Sequence, residues 1–139
     1  MAGVPKPLLT IWHDRDRDLA AWLAGNAGIG TVADVTTRVL ARTVDVRGFP
    51  RLPGEIQELL YLDKHDIIVT LDRSGAQQPV LALEFMTHTP QSQHTKQRFC
   101  RLVAAAERGV PVGFVFPERK LSGGQVYTCT PDIFYACLL

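Results

Sequence analysis

The sequence lacks the features that would assign a small protein to a special class. Its 139 residues include only three cysteines, which are widely spaced and contain no Cys-x-x-Cys pair. Neither a disulfide framework nor a structural zinc knuckle is therefore predicted. No stretch approaches the roughly 18 apolar residues of a membrane span, and no apolar run follows the N-terminus as in a secretory signal. We expect a cytoplasmic protein without membrane association.

The overall charge is also small. A formal net charge of +1 provides no strong field that would indicate a polyanionic partner. The 15 Lys and Arg residues can still form a local basic face that the 14 acidic residues mask in the sum. Charge alone therefore neither supports nor excludes binding to DNA.

The remaining composition is that of an ordinary globular protein, with 46% hydrophobic and 21% charged residues. The length suits one domain, so we expect residues 1–139 to form a single domain. The last residues, 134–139, read Phe-Tyr-Ala-Cys-Leu-Leu and are unusually apolar. We interpret them as a surface for a partner chain or a second copy, or as a sign that the chain is a fragment or subunit of a larger protein.

Local patterns predict alternating strands and helices. The predicted strands are residues 7–13, 67–71, 79–85, 110–116 and 125–129, with a further strand near 39–46 in the ambiguous segment 31–46. The strand at 110–116 is expected to be buried. The predicted helices are residues 14–25, 53–62 and a third from residue 92 or 95 to about 108. From residue 53 onward this order predicts an α/β sandwich, a central mixed β-sheet flanked by helices. The expected core includes both tryptophans and one stripe of the third helix: Trp12, Trp22, Phe99, Leu102, Val103 and Ala106.

Residues 72–75, Asp-Arg-Ser-Gly, predict a turn that joins the flanking strands into a hairpin over residues 67–85. Two carboxylates stand at the open end of this hairpin. Asp66 precedes its first strand, and Glu84 lies near the end of its second. Cross-strand neighbours lie about 5 Å apart, so these two side chains can share one hard cation. Mg²⁺ takes one or two carboxylates and keeps water in its other positions. The pattern predicts a Mg²⁺ site, with Mn²⁺ as a substitute.

Each of these assignments has a simpler alternative. Asp66 can be a solvated residue at a strand start. Glu84 interrupts an apolar strand, and a buried carboxylate needs a partner, which a salt bridge to Arg98 or Arg101 would also provide. Upstream, Glu55 and Glu58 share one helix face and either can complete the metal shell, although exposed helix glutamates are common.

The segments His65-Asp66-Ile67-Ile68-Val69 and Val80-Leu81-Ala82-Leu83-Glu84-Phe85-Met86, with the helix and strand that follow, resemble the PD-(D/E)XK nuclease superfamily. This superfamily includes the restriction-endonuclease-like enzymes. The resemblance covers roughly residues 53–116. It implies a restriction-endonuclease-like fold, metal ligation by Asp66 and Glu84, and an upstream helix glutamate, here Glu55 or Glu58. Hydrolysis of DNA and a role in defence against foreign DNA are what the family most often suggests.

The sequence departs from this family at two positions. His65 stands before Asp66 where the family has proline, which is a mild change, and Met86 occupies the lysine position. Methionine cannot neutralise the negative charge that develops on a phosphate. Lys96, in the first turn of the next helix, is the best substitute, although a lysine at such a position is more often a plain surface residue. Lys64, His88 and Gln91 are weaker candidates for the same role.

The polar segment 87–96 and the following helix supply candidate DNA contacts, and a solvated loop explains the segment equally well. A zinc site on His88 and His94 lacks a third ligand in register. The residues assigned to nucleic-acid binding are Gln91, Gln93, Gln97, Arg98 and Arg101.

The sequence thus predicts a Mg²⁺-dependent endonuclease that hydrolyses DNA phosphodiester bonds, with Asp66, Glu84 and Lys96 as catalytic residues. A homodimer is expected if both strands of a duplex are cut. Met86 favours one alternative, a catalytically silent nuclease-fold subunit that binds DNA or a protein partner. The apolar C-terminus favours another, an assembly subunit with no nucleic-acid role.

Overall fold

The structure is a computed structural model that describes residues 5–15, 17–26, 28–40, 52–60, 64–87, 93–117 and 119–128. For residues 93–94, 119–122 and 127–128 it describes the backbone only. The strands are β1 (Leu8–His13), β2 (Asp34–Val39), β3 (Ile67–Arg73), β4 (Ala76–Phe85), β5 (Val112–Val115), β6 (Arg119–Ser122) and β7 (Gln125–Thr128). The helices are α1 (Arg17–Asn26), α2 (Ile29–Val32), α3 (Gly54–Leu60) and α4 (Gln93–Glu107).

Five of these strands form one mixed sheet in the order β2-β1-β3-β4-β5. The two outer pairs, β1 with β2 and β4 with β5, are parallel, while β3 is antiparallel to both of its neighbours. Strands β6 and β7 form a separate antiparallel pair. The α/β class and the mixed central sheet predicted from the sequence are confirmed.

Each face of the sheet buries its own apolar cluster. On one face, Trp12, Ile68 and Ala82 pack with residues of α3 and α4 such as Ile56 and Ala105. On the other face, Ile11, Ile67, Val69 and Leu83 pack with Ala20 of α1. Because side chains alternate between the two faces of a strand, the parity of a residue in β3 or β4 decides which cluster it joins.

The hairpin β3–β4 is the central element, and its sequence explains its form. Ile67, Ile68 and Val69 are β-branched and buried, as suits a strand covered on both faces. Ser74 and Gly75 both adopt positive φ angles, 55° and 86°, which is the backbone of a two-residue hairpin turn. The predicted turn at residues 72–75 is therefore confirmed.

Helix α4 ends in a Schellman motif. Gly109 has a φ of 72° and donates its N–H to the carbonyl of Ala106 over 2.8 Å, while Val110 donates to Ala105 over 3.1 Å. This motif ends the helix next to Val110, which is part of the core. The helix therefore lies on the same sheet face as Ile68 and Ala82.

Several local predictions are wrong. Trp22 is 55% exposed, whereas Trp12 is buried as expected. On α4, Val103 is exposed and Ala104 and Ala105 are buried, so the inward stripe is rotated from the predicted one. The predicted face of α4 is wrong because alanines flank the stripe on both sides. Alanine is only weakly hydrophobic, so it does not distinguish a buried position from an exposed one.

The prediction for strand β5 also needs correction. This strand is partly exposed rather than buried, because it forms one edge of the described sheet. In the ambiguous segment 31–46 the structure has strand β2, while residues 41–51, which hold most of the strand expected near 39–46, lie outside the described part of the chain. The apolar segment 134–139 also lies outside it.

Candidate functional site

The open end of the hairpin brings Asp66 and Glu84 to the same face of the sheet. Ile68 pairs directly with Ala82, and both belong to the cluster covered by α3 and α4. Asp66 lies two residues before Ile68 and Glu84 two residues after Ala82, so the alternation of side chains places both carboxylates on that face. The predicted convergence of the two acids is what the backbone register produces.

Helix α4 supplies a cation to this pair. Nη1 of Arg98 donates to Oε2 of Glu84 over 3.1 Å and to the carbonyl oxygen of Phe85 over 2.9 Å, and it also donates to Oδ2 of Asp66. Nη1 of Arg101, one turn further along, lies 3.4 Å from the same Oε2 of Glu84. The salt-bridge alternative left open for Glu84 is therefore present.

The three oxygens around Arg98 converge on one atom. A guanidinium usually meets a carboxylate through two parallel N–H donors on different nitrogens. Here Asp66, Glu84 and Phe85 all direct an oxygen at Nη1, which has only two hydrogens to donate. The arrangement is that of oxygens around a point cation.

Asp66 is held in position by the backbone as well. The N–H of Phe85 donates to Oδ2 of Asp66 over 2.8 Å, which ties the start of β3 to the end of β4. The Asp66 side chain is 15% exposed. Its orientation is therefore set by the hairpin before any bound group contributes.

Glu84 is fully buried, with 0% exposure. Burial in a poorly solvating environment raises the pKa of Glu84 above its ordinary value of 4.5, and the neighbouring charge of Asp66 acts in the same direction. The proximity of His65 and Arg101 opposes this rise without cancelling it. The ionised form of Glu84 is thus under-stabilised in the structure as it stands.

His65 is a buried polar neighbour of Glu84. Its Nδ1 lies 3.3 Å from Oε1 of Glu84, and the side chain is 1% exposed. Within the described residues, neither ring nitrogen of His65 nor Oε1 of Glu84 has a partner with hydrogen-bond geometry. Buried polar atoms are almost always hydrogen-bonded, so three such atoms at one point mark an exceptional location.

The other predicted metal ligands and the predicted lysine lie elsewhere. Glu55 and Glu58 on α3 are exposed. Lys96 is also exposed and makes no ion pair with Asp66 or Glu84 among the described residues, whereas Arg98, two positions later, reaches both acids. Lys64, the weaker candidate, lies 3.6 Å from Asp14.

The predicted nucleic-acid contacts divide into three groups. Arg98 and Arg101 are engaged by Glu84, so they are components of the site rather than a free basic surface. Gln97 is exposed and remains a candidate for phosphate contact. Gln91, His88 and the side chain of Gln93 lie outside the described residues.

Sequence reasoning missed two components of the site. One is His65, treated only as a departure from the family motif, although a histidine beside a strand acid inside an apolar context is a signal of burial. The other is the Phe85 carbonyl, because a backbone oxygen leaves no trace in residue type.

The donor set fits a hard divalent cation with few protein ligands. Among the described residues, no cluster of three or more His, Cys, Asp or Glu side chains is arranged to bind a metal ion. Two carboxylates and one carbonyl oxygen nevertheless already surround a single cationic atom, and all three are oxygen ligands of the type that Mg²⁺ and Mn²⁺ prefer. The unpartnered Oε1 of Glu84 is a further acceptor at the same point.

None of the helices in the described ranges has the length and apolar character needed to cross a bilayer. Comparisons of the chain with protein-family models, with curated proteins and with solved structures find no match. The functional conclusion therefore depends on the site itself.

Proposed function

We propose that this chain is a Mg²⁺-dependent endonuclease domain of restriction-endonuclease-like fold that hydrolyses DNA phosphodiester bonds. The observation that carries the proposal is the convergence of oxygens from Asp66, Glu84 and Phe85 on one cationic position at the open end of a central hairpin. A mixed sheet with helices packed on both faces supports the proposal, because the resemblance leads us to expect such a sheet.

Asp66, Glu84 and the Phe85 carbonyl would hold the metal. A bound Mg²⁺ lowers the pKa of water and polarises the phosphoryl oxygen that it contacts. The Phe85 N–H keeps Oδ2 of Asp66 directed at the site, and burial of Glu84 keeps bulk water from its carboxylate. In the reaction, a water oxygen bonds to phosphorus, the bond from phosphorus to the leaving sugar oxygen breaks, and a proton from that water ends on the leaving oxygen.

Assembly and location complete the proposal. Cleavage of both strands of a duplex would be served by a homodimer, because a two-fold protein matches a two-fold substrate. A cytoplasmic location is proposed because few, widely spaced cysteines are typical of proteins in a reducing compartment.

A second candidate is a catalytically silent nuclease-fold subunit that binds DNA or a protein partner. The observation that favours it is Arg98 itself, which occupies the position where a metal would sit, together with Met86 at the lysine position. A carboxylate pair that is already balanced by an arginine does not require a metal ion.

Plasmid cleavage in Mg²⁺ or Mn²⁺ decides between the two candidates. Wild-type protein is expected to nick or linearise supercoiled DNA, Glu84→Gln to lose that activity, and the exposed Glu107→Gln on α4 to retain it. DNA binding without cleavage in either metal supports the silent subunit. Cleavage that persists in Glu84→Gln contradicts the proposed site and indicates a contaminating nuclease.

A further inference from the structure

Arg98 has two features that a purely structural arginine does not need. It meets three oxygens through one nitrogen, and its side chain is 28% exposed although its partner Glu84 is fully buried. We infer that Arg98 is the resident cation of the carboxylate pair, that a divalent metal displaces it, and that the displaced guanidinium then supplies the positive charge that position 86 lacks. This inference rests on the proposed function and deepens it.

Competition follows from the shared position. Nη1 contacts the same three oxygens that would ligate the metal, and two cations cannot occupy one position. One guanidinium charge faces two carboxylates, whereas a divalent ion neutralises both at once. Arg101, whose Nη1 lies 3.4 Å from Oε2 of Glu84, adds a second positive charge at that carboxylate.

Displacement is feasible because Arg98 is not enclosed. Its partial exposure gives the guanidinium a route toward solvent, while its Cα stays fixed on α4 beside the site. The anchored part of the side chain therefore keeps the displaced charge close to the carboxylates. A phosphate bound at the metal would lie within reach of the displaced Arg98 guanidinium.

The displaced guanidinium suits the role of the absent lysine. Arg98 already reaches the carbonyl of Phe85, the residue next to Met86 in the chain. A guanidinium offers two N–H donors in the geometry of a phosphate edge and stays charged at any working pH. Arg98 would therefore act through charge and hydrogen bonding, with no proton transferred to or from it.

Two measurements on one pair of variants test the inference. Arg98→Met is compared with Arg73→Met, an exposed arginine at the far end of β3. Mn²⁺ affinity is measured by titration calorimetry on the full chain without DNA. We expect Arg98→Met to bind Mn²⁺ about tenfold more tightly than wild type, since a competent state populated at about one tenth weakens apparent affinity by that factor. Arg73→Met is expected to match wild type.

Cleavage is expected to move in the opposite direction. At saturating Mn²⁺, Arg98→Met should cut plasmid about 10²-fold more slowly, the scale of losing one transition-state donor. Unchanged or weaker Mn²⁺ binding overturns the competition, and wild-type cleavage rates overturn the charge role. If Arg98→Met alone binds Mn²⁺ while wild type neither binds nor cleaves, the resident-cation role stands and the proposed nuclease fails.

A measurement on the wild-type protein protects the test against a variant that does not fold. The side-chain Nε–H signal of Arg98 is assigned in wild-type protein labelled with ¹³C and ¹⁵N, through its correlation to the carbons of the same side chain. Saturating Mg²⁺ is expected to shift this signal, because the guanidinium leaves its carboxylate partners. A signal that is unchanged while the amides of residues 66 and 84 respond contradicts the inference.

Discussion

The two ends of the β3–β4 hairpin bury polar side chains in opposite ways. At the turn end, Trp12 donates to Thr70 over 3.1 Å, Thr70 donates to Gln77 over 2.6 Å, and Gln77 donates to Asp72 over 3.2 Å. Each donor in this chain has an acceptor. The network explains why buried Thr70 is tolerated in a strand of apolar residues.

At the open end, ion pairs take the place of hydrogen bonds between neutral groups. Some buried polar atoms there have no hydrogen-bond partner within the described residues. Glu84 and His65 are both fully buried, yet Oε1 of Glu84 and both nitrogens of His65 lack a hydrogen-bond partner within the described residues. Asp66 and Glu84 lie beside each other and are balanced by arginines from α4. This contrast is the reason for placing the proposed site at the open end of the hairpin.

The largest expected effect comes from removing the resident cation. Arg98→Met leaves Glu84 and Asp66 facing each other, and loss of one partner from a buried ion pair costs about 3 kcal/mol of folding free energy. Urea unfolding at neutral pH measures this loss. The double variant Arg98→Met/Glu84→Gln is expected to be less destabilised than the sum of the single variants, because its buried charge is gone. Additive losses would show that the two residues do not interact.

The turn end offers the matched structural test. Thr70→Val keeps the shape of the side chain but leaves Trp12 and Gln77 without their shared partner. We expect a loss of about 1–2 kcal/mol in urea unfolding, typical of an unsatisfied buried donor. Mn²⁺ affinity is expected to stay at the wild-type value. A change in metal binding would mean that the two ends are coupled through the sheet.

The raised pKa of Glu84 predicts that the free energy of unfolding depends on pH. Because the folded pKa lies above the unfolded value of 4.5, the folded protein binds a proton where the unfolded chain does not. Stability from this group is therefore gained as pH falls toward 4.5 and lost as pH rises through the folded pKa.

Comparison with Glu84→Gln isolates this contribution. The stability of wild type relative to the variant should fall as pH rises from 4.5 to 7, by no more than about 1.4 kcal/mol per pH unit. Urea unfolding curves at several pH values provide the measurement. A difference that is constant, or that grows with pH, contradicts the raised pKa.

The smallest effect is expected at the exposed lysine of α4. Lys96→Met should change the free energy of unfolding by less than about 0.5 kcal/mol, as is usual for a surface position. Its Mn²⁺ affinity should equal that of wild type, in contrast to Arg98→Met. A tenfold change in metal affinity at Lys96 would restore the lysine as the principal cation of the helix.

The hairpin and its acids could be predicted because they follow from local pattern. The β-branched run after Asp66, the turn at residues 72–75 and the interrupting Glu84 fix a register in which both acids share a face. Because side chains alternate between the two faces of a strand, this register alone decides which face each side chain occupies. The mixed sheet likewise follows from the order of strands and helices.

The sequence offered Arg98 and Arg101 as possible partners of Glu84, but it could not choose between them and Lys96 as the cation of the site, because that choice depends on the rotation of α4. Lys96 and Arg98 lie two positions apart, and a rotation of about 200° on a helix separates their directions. The alanine-rich stripe of α4 left that rotation unspecified, and the buried face proved to carry Thr95, Leu102 and Ala105. Tertiary packing against β4 therefore decides which basic residue reaches the carboxylates.

The most direct measurement is a crystal structure of the wild-type protein soaked in Mn²⁺, with anomalous scattering to locate the ion. We predict a peak bounded by Oδ2 of Asp66, Oε2 of Glu84 and the carbonyl oxygen of Phe85, with the Arg98 guanidinium moved out of that position. Arg98 still donating to all three oxygens at a Mn²⁺ concentration that supports binding elsewhere would contradict a metal site at the open end of the hairpin.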